Sequence, residues 1–152
     1  GPCLYLDIVN RELRDGRRIV IQSQRFVAFQ PFASTSPFET WIMPGVHQSS
    51  FGNLDDAALD DLASVLRGVL GGLRRVLDDP DYNAVIYSAP PGDEDREYFV
   101  WHLRIVPRLL TPAGFELGSG IPVNPSSPEE AAMTLRRSTE DEVSARRASA
   151  PR

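Results

Sequence analysis

One stretch constrains the fold of this chain more than any other: Tyr98-Phe99-Val100-Trp101-His102-Leu103-Arg104-Ile105-Val106-Pro107-Arg108. β-branched and aromatic residues dominate it and Pro107 stops the run, so it reads as a strand. A period of two puts Phe99, Trp101, Leu103 and Ile105 on one face and Val100, His102, Arg104 and Val106 on the other. The first face is wholly apolar and has to lie in a core. The second carries a histidine and an arginine about 7 Å apart, close enough for both to touch one small anion.

The flanking sequence supplies layers for that strand to pack in. Residues 4 to 14 read as a short helix with Leu6, Val9 and Leu13 on one side, ended by the turn pair Asp15-Gly16. Residues 18–22 and 25–29 read as two strands of a hairpin turning at Ser23-Gln24, and residues 38–43 as a third, stopped by Pro44-Gly45. From Asp55 to Asp78, Leu59, Leu62, Leu66, Val69, Leu73 and Leu77 recur at three and four residues, which predicts one long amphipathic helix. Asp55 and Asp56 suit its cap and dipole, and Gly71-Gly72 predicts a bend or a close packing contact in it. Residues 83–88 form a fourth strand and the organising stretch a fifth. Residues 128–137 read as a short helix opened by Ser127 and Pro128. The Arg- and Ser-rich residues 138–152 show no pattern and are expected to be disordered. Strands with one long inserted helix give an α+β domain with a mostly antiparallel sheet of about five strands and short terminal helices.

The 152 residues suffice for one domain. All 16 basic residues are Arg, set against 21 acidic ones for a net charge of −5, and no basic stripe occurs. That balance argues against nucleic acid as a partner. Cys3 is the single cysteine, so no internal disulfide forms. No apolar run approaches the roughly 20 residues that span a bilayer, and no secretory pattern opens the chain. A cytoplasmic location without membrane contact is the expectation. The chain opens on Gly1-Pro2 and not on Met, which points to a piece of a longer product or to a processed chain.

Trp101-His102-Leu103-Arg104-Ile105-Val106-Pro107-Arg108-Leu109 does not stand alone. Gly114-Phe115-Glu116, Gly118-Ser119-Gly120, Asn124-Pro125 and Pro128-Glu129-Glu130-Ala131-Ala132 follow it. Phe26-Val27-Ala28-Phe29, Pro37-Phe38-Glu39-Thr40-Trp41 and Met43-Pro44-Gly45-Val46-His47 precede it. In this order the motifs resemble the C-terminal half of the galactose-1-phosphate uridylyltransferase family, with its relatives acting on other hexose phosphates or ADP-sugars, within the histidine triad superfamily. The resemblance covers residues 1–137 and implies a histidine-triad-like domain there.

It also implies a chemistry. In that family a histidine attacks the α-phosphorus of a nucleotide sugar and passes the nucleotidyl group to a second sugar phosphate; a neutral imidazole suits the task near pH 7. The superfamily's alternating histidines fall here on Val100, His102 and Arg104, so His102 alone is kept. His102 is the candidate nucleophile, its alternative a polar remnant packing near a bound phosphate. The two-domain enzymes keep the working nucleophile in the other half, so this chain alone is expected to be inactive. Glu116 and Phe115 are the candidate sugar contacts, because the family's matching segment crosses a dimer interface to the partner's substrate. Arg104 and Arg108 are candidate phosphate contacts and Asn83 a nucleotide contact. The family's zinc or iron would need more ligands than Cys3 and His47, since Leu6 and Val100 stand where others would be; no cofactor is expected. The partners implied are a nucleotide sugar, a hexose phosphate, and a second copy or a second histidine-triad half. Two readings stay open: the non-nucleophile half of a nucleotidyltransferase, and a degenerate non-catalytic module kept for dimerisation or nucleotide binding.

Overall fold

A computed structural model describes residues 3–149, and the side chains as far as residue 141. In chain order it holds α1 (Leu4–Asp15), β1 (Ile19–Gln22), β2 (Phe26–Phe29), β3 (Thr40–Pro44), a 3-10 turn (Phe51–Asn53), α2 (Asp56–Leu77), β4 (Tyr82–Tyr87), β5 (His102–Pro107), α3 (Gly114–Ser119) and α4 (Pro128–Ser149). The five strands form one sheet in the order β1-β2-β3-β5-β4, and every neighbouring pair is antiparallel.

Each face of this sheet carries a packed core over β1, β2 and β3, and the alternation along β5 explains how. Trp101, Leu103 and Ile105 join Phe26, Ala28 and Ile42 beneath α2 and α4, which contribute Leu62, Val69, Leu73 and Leu135. Val100 faces the other way, with Val27, Phe29, Met43, Cys3 and Val9 of α1. α2 begins at Asp55, whose carboxylate accepts the Ala58 N–H at 2.7 Å, and ends where Asp78 and Asp79 take left-handed backbone angles of 56° and 57° before Pro80. A Cβ on Gly72 would lie 2.8 Å from Leu135 Cδ1, so glycine there lets α4 approach closely.

The two sheet edges are treated differently. At the β1 edge, Arg136 of α4 donates to the Gly16, Arg17 and Ile19 carbonyls. Arg18 beside it holds three carboxylates: Glu12 at 2.9 Å, Glu129 at 2.6 Å and Asp15 at 3.1 Å. These bonds clamp α1, β1 and α4 together. At the other edge every residue of β4 is exposed.

Several expectations need correction. β3 begins at Thr40 and not at Phe38, because Phe38 takes φ 60° and cannot continue a strand. β5 begins at His102, because the Trp101 N–H and indole both bond Gln48 instead of a ladder partner. The last helix is 22 residues long, not short, and runs past residue 137: Thr139 is buried and Arg75 bonds Ser138. Of the tail expected to be disordered, residues 150–152 lie outside the described residues. No helix among those described is long and apolar enough to cross a membrane.

Candidate functional site

β4 pairs with β5 so that Tyr87 faces His102, Val85 faces Arg104 and Asn83 faces Val106. Strand alternation then sets Asn83, Val85, Tyr87, His102 and Arg104 on one sheet face. α1 covers the part of that face nearest Tyr5 and leaves the β4 side open. Three of the residues singled out in the sequence, His102, Arg104 and Asn83, therefore share a surface.

His102 is 4% exposed and closely boxed. Its ring stacks on Trp41 at 4.8 Å and on Tyr87 at 4.9 Å between centroids, with interplanar angles of 17° and 13°. Tyr5 stacks at 5.1 Å and Phe99 lies tilted at 5.9 Å. Nδ1 is 3.2 Å from the Val100 carbonyl. A carbonyl only accepts, so this contact assigns the proton to Nδ1 and the lone pair to Nε2. Burial holds the imidazole below its ordinary titration range; the Val100 carbonyl raises it and the Arg104 charge lowers it further. The ring is neutral at pH 7.

Arg104 is bound to protein groups. Its Nε lies 2.8 Å from Glu39 Oε1, an ion pair by distance whose N–H is not aimed at that oxygen. Its Nη2 donates to Thr35 Oγ1 at 2.8 Å. Glu39 is 1% exposed and accepts from the Thr35 N–H and hydroxyl, both at 2.7 Å, and from the Trp41 indole at 2.9 Å. Sequence reasoning missed Glu39 as a site residue, although a carboxylate between Phe38 and Trp41 in an apolar run is a signal that it must be paired.

Thr35 also lines a groove of about 430 Å³ with Glu116, Leu110, Leu117 and Val123. Glu116 there caps its own helix, its carboxylate accepting the Ala113 N–H at 3.2 Å. Phe115 is 61% exposed. Leu110, Leu117, Ile121 and Val123 are exposed beside it, which makes residues 109–123 an apolar arm lying open on the surface. Arg108 stands at the root of this arm, exposed, with its backbone N–H bonded to Asp81.

The other positions do not assemble. Cys3 is buried among Val9, Val27 and Met43. His47 lines a separate cleft of about 450 Å³ beside the β1–β2 turn, and its Nε2 is buried without a hydrogen bond. No group of three His, Cys, Asp or Glu able to hold a metal occurs among the described residues. His47 lies in that cleft and His102 among the rings of Tyr5, Trp41 and Tyr87, so the two do not form one ligand set.

Comparison with known proteins adds the lineage of this arrangement. Residues 1–139 match the family model described as galactose-1-phosphate uridyl transferase, C-terminal domain. The ADP-glucose phosphorylase of Arabidopsis thaliana is 39% identical over 127 residues, 82% of this chain and 36% of that protein. Its crystal structure with bound ADP-glucose superposes with a TM-score of 0.76 at 35% identity, covering 90% of this chain and 43% of that one. The galactose-1-phosphate uridylyltransferase of Haemophilus influenzae is 30% identical over 114 residues, 74% of this chain and 33% of its own length. The chain thus spans about a third of the length of these two curated relatives. A zinc-bound histidine triad protein from Mycobacterium smegmatis superposes with a TM-score of 0.65 at 20% identity, over 94% of this chain and 96% of that one, and shows the fold.

Proposed function

Because the chain belongs to the family of galactose-1-phosphate uridyl transferase C-terminal domains, we propose that it is the non-nucleophile half of a nucleotidyltransferase acting on nucleotide sugars and hexose 1-phosphates. The observation that carries this reading is Thr35. It bonds Arg104 on the open sheet face and lines the groove that holds Glu116, which supports reading Arg104 and Glu116 as parts of one connected surface.

On this reading the guanidinium of Arg104, with Arg108 and Asn83, receives the phosphates. Because Thr35 borders both, Glu116 accepts hydroxyls of the same ligand's sugar and Phe115 covers the ring, within one chain and not across a dimer interface as the resemblance implies. His102 serves as packing beneath the phosphate site. Its tautomer leaves Nε2 with a lone pair, but rings lie against both of its faces. The ring as a whole is 4% exposed, which leaves little room at its edge for a phosphorus atom and its oxygens. The attacking histidine then comes from a second histidine-triad half, and the unpaired β4 edge supports pairing with such a half or a second copy. The relatives that name substrates are an ADP-glucose phosphorylase and galactose-1-phosphate uridylyltransferases, so ADP-glucose and UDP-glucose are the ligands to try.

The stacked, buried His102 favours a second reading, a module that binds nucleotide without chemistry. Both predict binding at the same face. Titration of the 15N-labelled chain with ADP-glucose or UDP-glucose should shift the amides of Asn83, Val85, Thr35 and Glu116. Shifts confined to the cleft beside the β1–β2 turn, or no shifts at millimolar ligand, would overturn the assignment of the face.

A further inference from the structure

We propose that Glu39 is the positioning residue of this site. Its buried carboxylate fixes the Arg104 guanidinium on the open sheet face and ties it, through Thr35, to the groove that carries Glu116.

Two independent observations support this. The first is the bonding of the carboxylate. Four groups converge on it: the Thr35 N–H and hydroxyl, the Trp41 indole and the Arg104 guanidinium. Each of these belongs to the site or borders it, since Trp41 stacks on His102 and Thr35 lines the arm groove. The second is the backbone beside it. Phe38 holds φ 60°, a conformation a bulky side chain rarely adopts, and one that persists only where the surroundings impose it. Phe38 packs partly against the α2 side of the sheet, while Glu39 bonds Trp41 and Arg104 on the opposite side. The turn at Phe38 thus delivers a carboxylate to the open face.

The consequence for recognition follows from the guanidinium's shape. Arg104 presents five N–H groups in a planar fork and keeps its charge at any working pH. Glu39 and Thr35 engage one side of that fork, and the side chain remains 27% exposed. The rest is held in a fixed direction, which favours a ligand whose phosphate and sugar must be placed together. A free phosphate needs no such alignment.

This inference rests on the reading of the face as a nucleotide-sugar site, and the test separates the two. Removing a negative charge beside a phosphate site strengthens anion binding if charge alone matters. Orientation predicts the reverse for the nucleotide sugar. In calorimetric titrations, Glu39→Gln should bind ADP-glucose or UDP-glucose about tenfold more weakly, the worth of one oriented charge-assisted contact, and inorganic phosphate equally or more tightly. Glu39→Asp should recover part of the loss. Nucleotide-sugar binding as tight as wild type in Glu39→Gln would overturn the proposal.

The Arg104 Nη2–H resonance gives a ligand-free reading: distinct in the wild type, where that N–H bonds Thr35 Oγ1, and averaged to the position of a free arginine in Glu39→Gln. A wild type that binds no nucleotide sugar removes the functional reading, and this resonance then decides alone; its persistence in Glu39→Gln overturns the positioning role. Should Glu39→Gln fail to fold, Thr35→Val at an exposed position should weaken nucleotide-sugar binding in the same direction. An unchanged affinity in that variant would equally overturn it.

Discussion

Replacing Arg18 with Met removes the hub of the clamp between α1, β1 and α4. The side chain is 8% exposed and Glu12 beside it 5%, whereas Asp15 and Glu129 keep 25% and 31% of their surface. Asp15 and Glu129 can turn to water when Arg18 is lost, so little of the cost comes from them. Glu12 cannot. Leaving one partner of a buried pair uncompensated costs about 3–5 kcal/mol, which for a domain of this size lowers the melting temperature by roughly 6–20 °C. The double variant Arg18→Met/Glu12→Leu should regain most of this, because an apolar pair of similar volume is often as stable as the ion pair.

The loss should also depend on pH. Burial already raises the Glu12 carboxyl above 4.5, against the lowering by its bonds to Arg18, and without Arg18 it rises further. A raised folded value means that the stability Glu12 contributes is complete below 4.5 and lost as pH rises through the folded value. The defect of Arg18→Met should therefore be largest near pH 7 and shrink toward pH 5. Urea unfolding followed by tryptophan fluorescence and circular dichroism measures it. A loss below about 1 kcal/mol, with no coupling to Glu12→Leu, would refute the reasoning and make the clamp a solvated surface network.

Three further outcomes follow from the same packing. Leu135→Ala, at a fully buried contact with α2, should cost about 2–5 kcal/mol in urea unfolding. His102 has a depressed folded value, so its contribution is complete above 6.5 and lost as pH falls through the folded value; the wild-type urea midpoint should drop in that window, and that of His102→Phe should not. Glu116→Gln and Phe115→Ala should leave the melting temperature within about 2 °C, as exposed substitutions do, while weakening nucleotide-sugar binding measured by calorimetry.

Much of this architecture was legible from local pattern. α2 follows from its leucine spacing, the hairpin from two apolar runs, and the two faces of β5 from alternation, because each depends on neighbours close in sequence. What stayed hidden depends on distant partners. Arg104 reads as a free phosphate ligand until Glu39 is seen beside it. His102 reads as a reactive imidazole until Tyr5, Trp41 and Tyr87 close around it from three other elements. Phe38 gives no local sign that it will turn the chain, and residues 138–149 lack a stripe of their own, yet the start of that stretch is held by Arg75 and packed against Gly72. The aromatic and β-branched residues of β4 announce a strand, but not that it would lie exposed at an edge.

Mass spectrometry of the intact chain tests the central claim most directly: that it supplies a binding face and not the nucleophile. The chain would be incubated with ADP-glucose or UDP-glucose at mildly alkaline pH, beside His102→Ala. The account predicts an unmodified mass in both. A nucleotidyl adduct on the wild type that is missing from His102→Ala would contradict it, and would make His102 the attacking residue of this chain.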